Sequence, residues 1–534
     1  MTLVSQLNNL ESSGLIRLAQ AQPELEYLFW HALVQDAAYS SLVKQDRKQL
    51  HRLAGEALER TYPDRMEELA PLLAQHFDAA GDERRALKYY ALAGDQAARQ
   101  YANVEAATHY ARAIELTRRE SSTPREQLMR LYLSRGNTLR LSSRHDEALA
   151  TYAEMESLAR ERGDRALELA ALIERATIHS TPTPRQDQAL GGALMERALN
   201  LASELGDHAA ESRILWNLML RELFGGSSYR AVEYGEQSLA LARELDLREQ
   251  FTATLSDLSF SYVFVGQIER GWQALREVRE LWREQNNLPM LADSLSNSAL
   301  TSFYLGRFDE AIQCAEEALQ LSRSIANRWG QSHASGMLGY TLHEVGRLGE
   351  AAERWESSVA LGAESGLVST QMGIRADLAW LYGSVGALER GIEHARAADA
   401  HSAKVFLLWR PWTAAVLARL LMLVGDFDEA GRALEEGLNQ MTQDYFTRLL
   451  LSGAAAVALA QGELALAGGD YTRAVDRADE LAHHLQSFGA RPFISDALLL
   501  KGRALRAAER LDEAAAALNE ARSRAESLGS RRGL

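Results

Sequence analysis

One short phrase keeps returning in this chain. It reads GRFDEAIQCAEEAL from Gly306, GRLGEAAERWESSV from Gly346, GDFDEAGRALEEGL from Gly425 and GDYTRAVDRADELA from Gly469. A turn residue, four residues, a small residue and a helical pattern make one unit written many times. Aligned on the turn, the units fall at Ala102, Ser143, Gln186, Gly226, Gly266, Gly306, Gly346, Gly386, Gly425, Gly469 and Glu509, with gaps of 39 to 44 residues. A period this long and regular specifies a solenoid, in which each unit leaves an apolar face that only a neighbour can bury.

Each unit offers two amphipathic helices and a turn where Gly permits a conformation that a Cβ would penalise. Five residues after the turn stand Ala107, Ala148, Gly191, Ala231, Gly271, Ala311, Ala351, Gly391, Ala430, Ala474 and Ala514. Seven residues before it, most units carry a second small residue, among them Ser259, Ala299, Gly339 and Ala379. Small residues at fixed points on both helices predict close approach within each pair. The chain holds only nine prolines, which suits long helices.

The Gly–x4–Ala turn, as in GRFDEA, and the small residue seven before it resemble the tetratricopeptide repeat. The usual repeat of that family is about 34 residues, shorter than the period here. The resemblance implies an all-α fold, a right-handed superhelix of about eleven helical hairpins over residues 81–528, with a concave groove. Repeats of this greater length resemble the sensor superhelix of bacterial STAND-type signalling ATPases, the class that includes MalT-like regulators.

Residues 1–80 read differently. LNNLESSGLIRL predicts a helix leading into a strand, and GLIRLAQAQPELEYLFWHALVQDAAYSSL predicts strand, turn, strand and helix, with Pro23 in the turn. Helices follow in DRKQLHRLAGEALERTYPD and MEELAPLLAQHFDAAGDERRALKYY. FWHALVQDAAY, Leu50, His51 and LAQHFDAAGDERRA resemble the winged-helix segment and first repeat helices that follow the nucleotide-binding module in those ATPases, which are often fused to nucleotide cyclases or kinases. That resemblance implies a nucleotide-binding module upstream of Met1. Residues 529–534 are expected to be a polar tail.

The chain itself carries no phosphate-loop sequence, no H-E-x-x-H, no C-x-x-C, no G-x-G-x-x-G and no G-x-S-x-G. No catalytic activity, metal or cofactor is expected of it. A net charge of −15 argues against nucleic acid as a partner. In the winged-helix segment Lys44, Arg47, Lys48 and Arg52 are offset by Asp36 and Asp46, and the resemblance implies a rigid joint and not a DNA reader. No run of apolar residues is long enough for a membrane span, and no signal peptide is evident, so a cytoplasmic location is expected. The single cysteine, Cys314, sits in a helical pattern and reads as a packing residue.

Binding is therefore expected on the inner wall, which the first helix of each pair lines in tetratricopeptide repeats. Nine residues before the turn stand Asn217, Asp257, Asn297, Met337 and Asp377, and six before it Leu220, Phe260, Leu300, Tyr340 and Trp380. Asn and Asp are poor in helix interiors, so their recurrence at one register asks for a reason. In one reading they link neighbouring helices and the aromatics are core. In the other they form a recognition groove, joined by Tyr304, His333, His343 and Trp412. The second reading predicts a protein or peptide partner, or a small polar ligand. A constitutive scaffold with no small-molecule ligand is the alternative.

Overall fold

The computed structural model describes residues 3–20, 26–118, 123–181, 183–225, 227–439, 445–447 and 449–531. The chain divides into two compact units, Met1–Thr138 and Leu139–Leu534. The boundary falls within the helix Arg125–Leu141.

In the first unit, helix Leu3–Ser12 leads into an antiparallel pair of strands, Ile16–Gln20 and Glu26–Phe29, registered as Ile16↔Phe29, Arg17↔Leu28 and Leu18↔Tyr27. The turn expected at Pro23 lies outside the described residues. Helix Ala32–Ser41 starts at His31, whose Nδ1 accepts from the Leu33 amide at 3.2 Å. Helices Lys44–Thr61 and Ala70–Ala80 follow. They meet where Gly55 leaves room for the Phe77 ring, which stacks on Tyr89 at 5.7 Å between centroids. Few side chains before residue 55 are buried. Leu3, Val4, Trp30, Leu33 and Val43 are each more than 60% exposed.

Among the described residues the rest of the chain is helical hairpins. Eleven are found, numbered here by their spans: 83–117, 125–162, 165–205, 208–244, 248–284, 288–324, 328–365, 370–405, 410–438, 451–487 and 494–528. The fold is an all-α tetratricopeptide-like superhelix preceded by a small two-stranded sheet. No helix among the described residues is long and apolar enough to cross a membrane.

The turn chemistry follows the sequence. Gly266, Gly306, Gly346, Gly386, Gly425 and Gly469 all have positive φ, between 72° and 89°. Ser143 and Glu509 occupy the same left-handed region without being glycine. Two expected turn positions are corrected. In the first hairpin the positive φ falls on Tyr101, one residue before Ala102. At Gln186 there is none, because the connection after Ser180 is longer and Asp187 caps the next helix, accepting from the amides of Ala189 and Leu190. Gly226 lies outside the described residues.

The paired small residues do meet. A Cβ on Gly271 would lie 2.5 Å from the Ser259 carbonyl oxygen, and one on Gly391 would lie 2.8 Å from that of Ala379. Cys314 is buried in the same core, as its pattern suggested, and accepts a hydrogen bond from Arg279 Nη1 at 3.0 Å.

Within the second unit the superhelix also touches itself. Ser143 Oγ, at the tip of the second hairpin, donates to the carbonyl of Ser365, where the seventh ends. The amide of Arg491 donates to the Tyr304 carbonyl at 2.9 Å, and the amide of Arg531 to the Glu344 carbonyl at 2.8 Å. Tyr304 and Glu344 end the first helices of hairpins six and seven. These otherwise orphaned C-terminal carbonyls are thus satisfied from the next superhelical turn, about five hairpins on.

Gly271→Ala forces two backbones apart and is expected to cost about 1–3 kcal/mol. Gly386 has φ of 89° and open space around its Cβ position, so Gly386→Ala is expected to cost only the strain of a left-handed alanine, about 1 kcal/mol. Urea unfolding of both variants checks the order. A milder effect at Gly271 than at Gly386 would contradict the close approach.

Candidate functional site: the inner wall of the superhelix

First helices of successive hairpins pack directly on one another, while second helices of successive hairpins do not pack extensively. The first helices therefore lie on the inside of the curve, and their facing side chains form the wall. Because equivalent positions recur about 40 residues apart, a polar side chain on one first helix reaches its counterpart on the next.

The result is a series of pairs between hairpins. Thr177 Oγ1 donates to Asn217 Oδ1 at 2.9 Å, and Trp216 Nε1 donates to Asp257 Oδ2 at 2.8 Å. Asp293 pairs with His333 at 3.2 Å and accepts from Asn297 Nδ2 at 3.2 Å. Tyr340 donates its hydroxyl proton to Asp377 Oδ2 at 2.7 Å. Arg419 grips Glu463 through Nε and Nη2 at 2.8 and 2.9 Å, with its guanidinium 3.7 Å from the centre of the Trp380 ring. The fork-to-carboxylate geometry fixes both groups.

The expected binding residues separate into two zones. Along hairpins four to seven, Asp257, Phe260, Asn297 and His333 are half-buried, with Trp216, Asp293 and Trp329 beside them. Farther along, Tyr340, His343, Asp377 and Trp380 converge on one cavity of about 40 Å³. Its other walls come from Phe303, Trp355, Arg419, Ser452, Phe493 and Asp496, so hairpins six to eleven all meet there. Phe303 lies 5.8 Å from Tyr340 and 6.1 Å from Phe493 between ring centroids.

Five expected residues are buried, Tyr340 and His343 beside that small cavity at 5% and 7% exposed and three others in the packed interior. Asn217 and Tyr304 are 0% exposed and Trp412 is 1% exposed. Trp412 fills the space left by Gly373 and Gly453, one repeat to either side, whose added Cβ atoms would lie 2.5 and 2.8 Å from its ring. Those flanking glycines were the sequence signal that it packs between first helices. Trp216, Trp355 and Asp496 were missed. Trp216 stands one residue before Asn217 and one repeat before Asp257, about the spacing of the pairs that join successive hairpins.

Burial pushes the Asp257 carboxyl up to about 7, against the pull of the Trp216 hydrogen bond and with the help of nearby Asp293. Burial, and then the Asp377 charge, hold the Tyr340 hydroxyl well above the ordinary tyrosine range. Both inner-wall oxygens are thus held toward their neutral forms near pH 7. Among the described residues no three His, Cys, Asp or Glu side chains gather as a metal site.

A tetratricopeptide repeat family model matches residues 292–325, which span hairpin six. No curated protein matches the chain. Among solved structures, a Rap protein complexed with Competence and Sporulation Factor is 13% identical with a TM-score of 0.50. That match covers 68% of this chain and 99% of the other. The Rap conjugation gene regulator of plasmid pLS20, in complex with the Phr* peptide, is 14% identical, with a TM-score of 0.43 over 67% and 95%. A signal transduction ATPase with numerous domains from Pyrococcus horikoshii, which has a tetratricopeptide repeat sensor, is 14% identical. Its TM-score is 0.41, over 82% of this chain and 59% of that one. At these identities the likeness is one of fold.

The raised Asp257 pKa has a signed consequence. A free aspartate titrates near 3.9, so between about pH 4 and pH 7 the folded chain holds a proton that the unfolded chain has released. The contribution of this group to stability falls as pH rises through that window. Asp257→Asn keeps a carbonyl acceptor for Trp216 and removes the titration. Its stability gain over wild type is expected to grow from about pH 4 to about pH 7, by at most about 1.4 kcal/mol per pH unit, and then level off. Calorimetry across that range checks it. A gain independent of pH would show that Asp257 titrates normally.

Proposed function

We propose that this chain is a non-catalytic sensor and protein-interaction arm that takes a peptide or an extended segment of a partner protein against its inner wall. The observation that carries the reading is the half-buried row Trp216, Asp257, Phe260, Asp293, Asn297 and His333. Aromatic faces there supply contact area at low entropic cost, and carboxylate and amide groups beside them fix orientation. Asp293 pairs only with His333 and Asn297 among the described residues, so its carboxylate suits a segment bearing a basic side chain, with Asp257 beside it as a hydrogen-bonding group. The Rap protein of like fold, described in complex with Competence and Sporulation Factor, supports a ligand-binding role for such a superhelix.

The proposal extends to regulation. The arm would act in the cytoplasm on a nucleotide-binding module of the STAND type, with residues 1–80 as a winged-helix-like joint. The exposed apolar side chains of that segment, Leu3, Val4, Trp30 and Leu33 among them, are the surface such a module would cover.

A peptide array probed with the purified chain tests the binding reading. Peptides carrying Lys or Arg are expected to be retained over acidic ones, and Asp293→Asn combined with Phe260→Ala should weaken the best of them at least tenfold, about 1.4 kcal/mol. Equal retention of acidic and basic peptides, or unchanged affinity in a variant that circular dichroism shows folded, would move the site off this wall.

A further inference from the structure

A second concavity lies away from the inner wall, where one superhelical turn rests on the next. It is a crevice of about 590 Å³, within the usual size of small-molecule sites. One side is built from hairpin tips, Gly266 to Arg270 with Leu305 and Arg307. The other side is the connection between hairpins ten and eleven, Gln486 to Gly489 with Arg491.

Its chemistry is uneven. Ile268, Leu305 and Phe488 give an apolar floor, while three guanidinium groups, Arg270, Arg307 and Arg491, stand around it. Arg270 is engaged by Glu236 at 2.9 Å. Arg307 holds Glu269 through Nη2 at 3.0 Å and lies 4.1 Å over the Trp272 ring, with its side chain still partly exposed. The Arg491 side chain is exposed and makes no ion pair among the described residues. The helix that begins at Ile268 also has no side-chain cap for its first amides. In a chain of net charge −15, three arginines and one carboxylate, Glu269, line a space large enough to be filled, and of the arginines Arg491 is left without an ion pair among the described residues.

We propose that the crevice binds a small organic anion, with a phosphate or carboxylate group between Arg307 and Arg491 and its apolar part against Phe488. Such a ligand bridges two superhelical turns. It touches the hairpin tips below and the 486–491 connection above, next to the Arg491 amide that donates to Tyr304. Occupancy therefore fixes the spacing of the turns and, through it, the geometry of the first helices that form the inner wall. This is a site separate from the peptide row, and it stands whether or not that row binds peptide.

Thermal shift and calorimetric titration at constant ionic strength test it, with inorganic phosphate, pyrophosphate and citrate as probes. At least one is expected to bind and raise Tm by mass action. Phosphate or pyrophosphate as the better ligand indicates a phosphoryl group, and citrate a carboxylate. Arg491→Ala removes no ion pair among the described residues, only the stem that lies over Gly306, and should lower the unliganded Tm only slightly while weakening that probe at least tenfold. Arg307→Gln should weaken it further. Hydrogen exchange provides the structural readout, since the Arg491 amide should exchange more slowly with the anion bound. The proposal fails if none of the three probes binds, if the binding probe is indifferent to Arg491→Ala, or if the Arg491 amide exchanges unchanged at saturation.

Discussion

Everything in this architecture rests on how closely the two helices of a hairpin approach. At Gly271 and Gly391 the second helix lies against a backbone carbonyl of the first, with no room for a Cβ. A left-handed turn residue returns the chain at a fixed angle just before that contact. With distance and angle both set, each hairpin presents the same apolar face to the next. The array curves because first helices pack on one another more closely than second helices do.

The curvature then decides what the inner wall can hold. Side chains one repeat apart come within hydrogen-bonding reach, which is why Trp216 finds Asp257 and Tyr340 finds Asp377. Tyr304, whose carbonyl is reached from the next superhelical turn, and Trp412, which packs between adjacent first helices, are buried. In the middle of the array the wall stays half open along Asp257, Phe260, Asn297 and His333. The inner-wall side chains thus link hairpins throughout and stay partly accessible in the middle of the array.

The sequence made the unit legible because the unit is local. A glycine, four residues and a small side chain are enough to read the turn at Gly306 or Gly425, and the number of hairpins follows by counting. The exceptions are local too, since the longer connection before Asp187 breaks the pattern at Gln186. The candidate site was legible as a register but not as a surface. Asp257 and Trp412 both sit on first helices, and nothing within a single repeat distinguishes a wall that faces solvent from one that faces the turn above. That difference depends on how many hairpins complete a superhelical turn, a quantity spread over some two hundred residues. For Trp412 alone, Gly373 and Gly453 one repeat to each side recorded in the sequence that it packs between neighbouring first helices.

The bond from Ser143 to Ser365 joins residues 222 positions apart. An open solenoid is a one-dimensional chain of neighbours, able to nucleate anywhere and to fray from its ends. Rungs such as this one, and those at Tyr304 and Glu344, add a second dimension. They raise the mean sequence separation of native contacts, which in small domains goes with slower folding. They also tie the last hairpins to the middle of the array, so the C-terminal end is held by more than its neighbour in sequence. A protein built this way gives up the piecemeal melting of a repeat array for something closer to the all-or-none behaviour of a globular domain.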